Sequence, residues 1–267
     1  MKNILSEIVA HKAHEVAERS KVRSVDELGR SPMFSRTPLS LRSFLRQPDR
    51  TGIIAEFKRK SPSKGIINDT AGVQEVTAAY ARNGASGLSV LTDQQFFGGS
   101  MDDLQQARAV NNIPILRKDF VIGEYQVVEA KAIGADVILL IAECLTKEEI
   151  KHLAAFAHNL GMEVLLEVHS GDQLEKITPH THLIGINNRD LKTFQVDIHR
   201  SMELLKQIPA EYSKVAESGM DDPATIVTLR QAGFDGFLIG EHFMKAADPG
   251  NAFEIFSRSL KEKLAAS

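Results

Sequence analysis

The sequence predicts an α/β protein built as a closed (β/α)8 barrel, the TIM-barrel architecture, with an N-terminal helical extension. Three observations carry that expectation. Eight short apolar runs with β-branched content recur along the chain, the segments between them carry helical periodicity, and several of those segments end in a glycine leading straight into the next run. Short runs with little strict alternation suit strands buried on both faces of a parallel sheet. Alternation of strand and helix over short connections favours right-handed crossovers. A chain of 267 residues suits one barrel of roughly 250 residues. The alternative is a doubly wound open sheet. It is disfavoured because no Gly-x-Gly-x-x-Gly follows the first run, and eight evenly weighted units are many for one open sheet.

Residues 1–50 precede the first strand. Ile4, Leu5, Ile8 and Val9 mark an amphipathic helix from about Ile4 to Ala17, followed by a Ser/Pro-containing stretch from Ser31 to Pro38 and a short helical pattern at Leu39–Leu45. This segment is too short to bury its own core, so it reads as an extension of a barrel spanning 51–267. The strands are expected at Ile53–Phe57, Gly87–Leu91, Ile113–Lys118, Val137–Ile141, Glu163–Val168, Leu183–Asn187, Lys214–Glu217 and Gly236–Gly240. Helical stripes run through Val73, Val76, Ala79 and Tyr80, through Val127, Val128 and Ile133, through Ile150, Leu153, Ala154 and Ala157, and through Ile226, Leu229 and Arg230. Gly84, Gly134, Gly161 and Gly233 stand where a left-handed residue ends a helix. Thr146 and Asp222-Pro223 read as helix starts. A last helix at about Ala252–Leu264 lies close to the chain's end, so no fused second enzyme is expected.

Composition narrows the function. A net charge of -3, no Trp and 3 Tyr provide neither the basic excess nor the stacking platform of a nucleic-acid binder. One cysteine, Cys144 beside the apolar run at Val137–Ala142, cannot form an internal disulfide or a thiolate zinc site and reads as core-lining. The N-terminus has no signal-peptide core and no stretch approaches a membrane span, so a cytoplasmic location is expected.

Reactive groups of such barrels sit at the C-terminal ends of strands. There the chain places Glu56, Lys58, Lys118, Glu167, Asn187, Arg189 and Glu217. Glu56 and Lys58 are two apart and share a face of the strand. Buried charge is costly unless paired or bound, so their convergence implies a ligand or a structural ion-pair layer. The loop Lys58-Arg59-Lys60-Ser61-Pro62-Ser63-Lys64-Gly65 suits an anion, with Lys58 and Ser61 best placed and Arg59, Lys60 and Lys64 read as solvated. Ser218-Gly219 and Gly240-Glu241 follow strands seven and eight, the frequent phosphate site of this fold. His14-Glu15-Val16-Ala17-Glu18 lacks a second zinc ligand, no cluster has metal spacing, and His152, His158 and His199 fall on helix surfaces.

These motifs resemble a known family. Ile54-Ala55-Glu56-Phe57-Lys58-Arg59-Lys60-Ser61-Pro62-Ser63 is similar to the first-strand signature of the indole-3-glycerol phosphate synthase family. The likeness continues through Val90–Asp93 with Phe96–Ser100, Leu116–Phe120, Leu166–Val168, Gly185–Leu191, Val215–Gly219 and Leu238–Glu241. It implies decarboxylating ring closure of 1-(2-carboxyphenylamino)-1-deoxyribulose 5-phosphate to indole-3-glycerol phosphate, in tryptophan biosynthesis. By the same resemblance, Lys118 is the general acid at the carbonyl and Glu167 serves the later dehydration, with Glu56 and Asn187 positioning the intermediate. Lys58 meets the benzoate carboxylate and reaches the phosphate. Ser61, Ser218, Gly219, Gly240 and the backbone of Glu241 hold the phosphate, and Arg189 orients its neighbours. Phe97 and Phe120 sandwich the anilino ring, and Glu217 and Leu238 line the substrate site. Glu241 stands where some relatives have a small hydroxyl residue, so its side chain is expected to turn away.

Such a reaction needs a proton donor and loss of a hydroxyl, so no metal, redox cofactor or obligate protein partner is expected. A lysine acid near neutral pH wants a lowered pKa, and Lys58 would supply the like charge. Two other readings share the fold. An isomerase of phosphoribosylanthranilate usually carries a cysteine base on the first strand, where this chain has Glu56. A non-catalytic phosphate binder has no use for Lys118 and Glu167 at strand ends.

Overall fold

Alternating side-chain direction along eight short strands gives the barrel two apolar layers. The computed structural model describes residues 4–189 and 197–266. The strands are β1 (Ile53–Phe57), β2 (Gly87–Leu91), β3 (Ile115–Lys118), β4 (Val137–Ile141), β5 (Glu163–Val168), β6 (Leu183–Asn187), β7 (Ser213–Glu217) and β8 (Gly236–Ile239). Each pairs in parallel with its sequence neighbours, and β1 closes on β8 with Ile54 opposite Leu238. Ile53, Ala55 and Phe57 pack outward against the helices, while Ile54, Leu116, Leu139, Leu165, Leu183, Val215 and Leu238 fill the interior. The period of two then dictates what comes next. One step above Ile54, Leu116, Leu165 and Val215 on the inward face stand Glu56, Lys118, Glu167 and Glu217.

The observed strands agree with the expected ones within two residues. β3 starts at Ile115 because Pro114 has no N–H to offer; its carbonyl accepts from Leu88 N instead. The helix-ending glycines Gly84, Gly134, Gly161 and Gly233 all have positive φ. Thr146 caps its helix in a full capping box with Glu149, and Pro223 sits in the first turn after the Asp222 cap. A two-residue antiparallel pairing, Lys60–Ser61 with Gly65–Ile66, shapes the loop after β1.

The N-terminal segment clasps both ends of the barrel. Helix α1 (Ile4–Val22) runs past the expected Ala17 and lays Ile4, Leu5 and Ile8 over the C-terminal mouth. Ser24 and Glu27 form a capping box for α2 (Val25–Gly29). Helix α3 (Leu41–Leu45), capped by Ser40, inserts Leu41 and Leu45 into the interior cluster. Between β5 and β6 the chain makes a short 3-10 turn, Gly171–Lys176, in place of a full helix.

Candidate active site

At the barrel mouth the inward-facing charges meet. Lys118 Nζ donates to Glu167 Oε2 and to Glu217 Oε2, both at 2.8 Å, although its three elements are separated by long stretches of sequence. Asn187 Nδ2 donates to Glu167 Oε1 at 3.0 Å, and the Asn187 side-chain oxygen accepts from Arg189 N at 3.0 Å. Glu56 accepts from Ser89 Oγ at 3.2 Å and pairs with Lys58 at 2.8 Å. Glu56, Glu167 and Glu217 are buried; Lys118 lines the cleft, and Lys58 is partly exposed beside Glu56.

The electrostatics follow from this grouping. Burial disfavours the Lys118 ammonium, but Glu167, Glu217 and Glu56 together outweigh it and hold its pKa above the ordinary lysine range. The expected depression by Lys58 does not occur, because Lys58 is neutralised by Glu56 while Lys118 faces carboxylates. Glu167 is likewise buried, yet Lys118 and His169 keep it well below the usual carboxylate range. Burial and the Glu167 charge push Glu217 up to about 7 against the pull of Lys118; its Oε1 has no hydrogen-bond partner among the described residues. His169, which sequence reasoning passed over, lies 3.2 Å from Glu167 Oε1. It sits two residues on from Glu167, just past the Leu166–Val168 motif, and that spacing was the available signal.

One cleft is lined by Glu56, Ser61, Phe97, Lys118, Phe120, Glu167, Asn187, Arg189, Glu217, Ser218 and Leu238, with α1 as a wall. A second, adjoining cavity shares Glu56, Arg189, Ser218 and Leu238 and adds Gly219, Gly240 and Glu241. Ser218 is the one non-glycine at positive φ among the described residues (φ 68), and Gly219 follows at φ 73. That strained backbone is held by Asn188, whose side chain donates to Ser218 O at 2.7 Å. Gly240 is required by crowding: a Cβ there would lie 2.6 Å from Glu56 Oε1 and 2.8 Å from Glu56 Cβ. Asp190 and Leu191, the end of the sixth motif, lie outside the described residues.

Several expectations need correction. Phe97 and Phe120 are a tilted contact pair with centroids 6.0 Å apart at 38°. A sandwiched ring would need about 7 Å, two carbon contact distances, so they form one wall instead. Arg59 is no solvated cation: it pairs with Asp103 through two bonds of 2.6 and 2.9 Å. Lys60 donates to Gln95 O. The Glu241 side chain does not turn away fully, since its carboxylate lies 3.6 Å from Arg189 Nη2 and 3.9 Å from Lys64 Nζ. Cys144 is half-buried between the two apolar layers, and burial pushes its thiol up to about 12. His152, His158 and His199 are exposed. Among the described residues no cluster of His, Cys, Asp and Glu is disposed to hold a metal ion, and no helix is long and apolar enough to cross a membrane.

The sequence matches known proteins along nearly its whole length. The indole-3-glycerol phosphate synthase family model matches residues 5–256. A synthase of that name from Bacteroides thetaiotaomicron is 47% identical over 261 residues, covering 98% of this chain and 100% of the relative. One from Bordetella pertussis is 43% identical over 257 residues, covering 94% and 97%. Among solved structures, tryptophan synthase subunit alpha from Legionella pneumophila superposes with a TM-score of 0.61 at 12% identity, covering 85% of this chain and 98% of that one, a likeness of fold alone. With the family model spanning the barrel and α1 together, and with relatives aligned end to end, the chain belongs to the indole-3-glycerol phosphate synthase family.

Proposed function

We propose that the mouth cluster carries out the ring closure with Lys118 as general acid and Glu167 as its partner in dehydration. The observation that carries this reading is the pair of 2.8 Å bonds from Lys118 Nζ to Glu167 and Glu217, in a cleft walled by the apolar face of α1. In the first step the aryl carbon bearing the carboxylate attacks the substrate carbonyl, and Lys118 passes a proton to the developing alkoxide, leaving a hydroxyl. A raised pKa keeps Lys118 cationic at working pH, and the alkoxide is the stronger base at the moment of transfer. Loss of CO2 then restores the aromatic ring.

The proton transfer prepares the next step. Once Lys118 is neutral, the charge that held Glu167 ionised is gone, and its proton affinity rises at once. Glu167 thereby becomes fit to manage the protons as the hydroxyl leaves as water. Asn187 fixes the Glu167 carboxylate, and Glu56 with Lys58 receives the polar intermediate and the benzoate carboxylate. The aryl ring packs on the Phe97–Phe120 wall and the apolar face of α1. Ser61, Ser218, Gly219, Gly240 and the Glu241 backbone hold the phosphate, with Arg189 and Glu217 orienting neighbouring groups and Leu238 below. The same reading makes the protein a cytoplasmic enzyme of a small phosphorylated substrate, working without metal, cofactor or obligate protein partner.

The test is formation of indole-3-glycerol phosphate from 1-(2-carboxyphenylamino)-1-deoxyribulose 5-phosphate in EDTA-treated buffer. Turnover with release of CO2 is the expected result. No product, or product only after a divalent metal is restored, overturns the reading.

A further inference from the structure

Lys12 lies on the apolar face of α1, one turn beyond Ile8, and its side chain is 0% exposed. A lysine costs free energy in such a place unless charge surrounds it. Its Nζ is 2.9 Å from Asp93 Oδ2, 3.0 Å from Asp119 Oδ1 and 2.9 Å from Glu15 Oε2. Asp93 follows β2 and Asp119 follows β3, and both carboxylates are fully buried. Burial opposes the ammonium, but the two aspartates outweigh it and raise its pKa, so the charge persists at working pH.

Each aspartate also orients one aromatic residue of the cleft. Asp93 Oδ1 accepts from Phe96 N at 2.7 Å and from Phe97 N at 3.1 Å, while its Oδ2 has, among the described residues, no balancing group but Lys12. Asp119 Oδ1 accepts from Phe120 N at 2.8 Å, and its Oδ2 is held by Thr92 and Arg117. One ammonium therefore ties together the two loops that present Phe97 and Phe120 and the helix that presents Ile4, Leu5 and Ile8. A cluster serving only to attach α1 would be served as well by apolar packing. This one is wired to the backbone of both ring-bearing residues.

We propose that Lys12 is a positioning residue for recognition of the aryl half of the substrate: it sets the Phe97–Phe120 wall and the apolar face of α1 as one surface. The inference rests on the reading of that wall as the aryl site. Lys12 touches no reacting atom, so its loss falls on binding rather than on the chemical step.

The experiment measures KM, kcat and inhibition by inorganic phosphate for Lys12→Met, Lys12→Arg and Asp93→Asn, with and without Phe97→Ala. Circular dichroism at the assay temperature checks that each variant is folded. Lys12→Met is expected to raise KM about 10-fold with kcat and phosphate inhibition within about threefold of the parent. Lys12→Arg recovers most of the loss. In the Phe97→Ala background the Lys12→Met factor shrinks below about threefold, the coupling expected of groups acting through one surface. Asp93→Asn keeps the acceptor for Phe97 N but cuts the tie to Lys12; it reproduces the KM effect and decides the matter should Lys12→Met not fold. An undiminished Lys12 effect without Phe97, equal weakening of phosphate, or an unchanged KM overturns the proposal. Phe97→Ala alone leaving KM unchanged would instead remove the aryl-wall reading on which it stands.

Discussion

A side chain at Gly185 would collide with Glu217 Oε1 and come within 3.3 Å of Leu165 Cδ1. Gly185 is inward-facing on β6, so its missing side chain is the space in which the Glu217 carboxylate reaches Lys118. Gly240 makes the same kind of room for Glu56. Gly185→Ala should push Glu217 off Lys118 while the barrel still folds. Misplacement by about 1 Å near reacting groups costs about 10- to 100-fold, and kcat is expected to fall by that order. Steady-state kinetics on the folded variant checks it, and an unchanged kcat would mean Glu217 need not contact Lys118. Both glycines were visible in the sequence as motif members, but their reason was not: it lies in a carboxylate from the neighbouring strand.

The strands were legible because each is apolar on both faces, and the helices were legible where their buried face is apolar. The helix Met101–Val110 escaped the reading because its buried face carries Asp103 and Arg108. Asp103 is bound to Arg59, and Arg108 pairs with Asp136 at 2.8 Å, so buried polar residues break the hydrophobic period. Lys12 on α1 was overlooked for the same reason, although its place one turn after Ile8 was the clue. End signals fared better: the Thr146–Glu149 box starts the helix Lys147–Asn159 as the sequence implies. Thr146→Ala removes the hydroxyl that accepts from Glu149 N, while the backbone N–H of residue 146 still donates to the Glu149 carboxylate, and should cost about 1 kcal/mol. In a chain of this size the midpoint of thermal unfolding should drop by about 2–4 °C, with kcat untouched because that helix lies outside the barrel. An altered kcat with no loss of stability would contradict the structural role.

Across the whole molecule, buried charge gathers in two places: Lys12, Arg117, Asp93, Asp119, Glu167 and Glu217 lie out of water towards the C-terminal ends of the strands, and Arg108 with Asp136 at the start of β4. These groups give stability opposite dependences on pH. Asp119 is held below its ordinary 3.8 because Arg117 and Lys12 outweigh its burial. Its contribution is present above that value and lost as pH falls. Glu217, raised from 4.5 to about 7, contributes fully at low pH and loses that contribution as pH rises through about 7. Urea unfolding of Glu217→Gln should therefore lack part of the decline that the parent shows between about pH 5 and 8. Parallel curves for the two proteins would show that Glu217 is not a raised carboxyl. The convergence of strand-end charges was readable from the barrel's period of two. The pairing among them was not, because which lysine meets which carboxylate depends on register around a closed sheet.

The most direct measurement is turnover by Lys118→Ala beside its inhibition by inorganic phosphate. Loss of a general acid costs about 10²- to 10⁴-fold in rate, so indole-3-glycerol phosphate formation should all but cease. Phosphate, whose proposed site is Ser218, Gly219 and Gly240 on other loops, should inhibit any residual activity and bind by calorimetry as in the parent. Turnover near the parent rate would contradict the assignment of Lys118 as the acid.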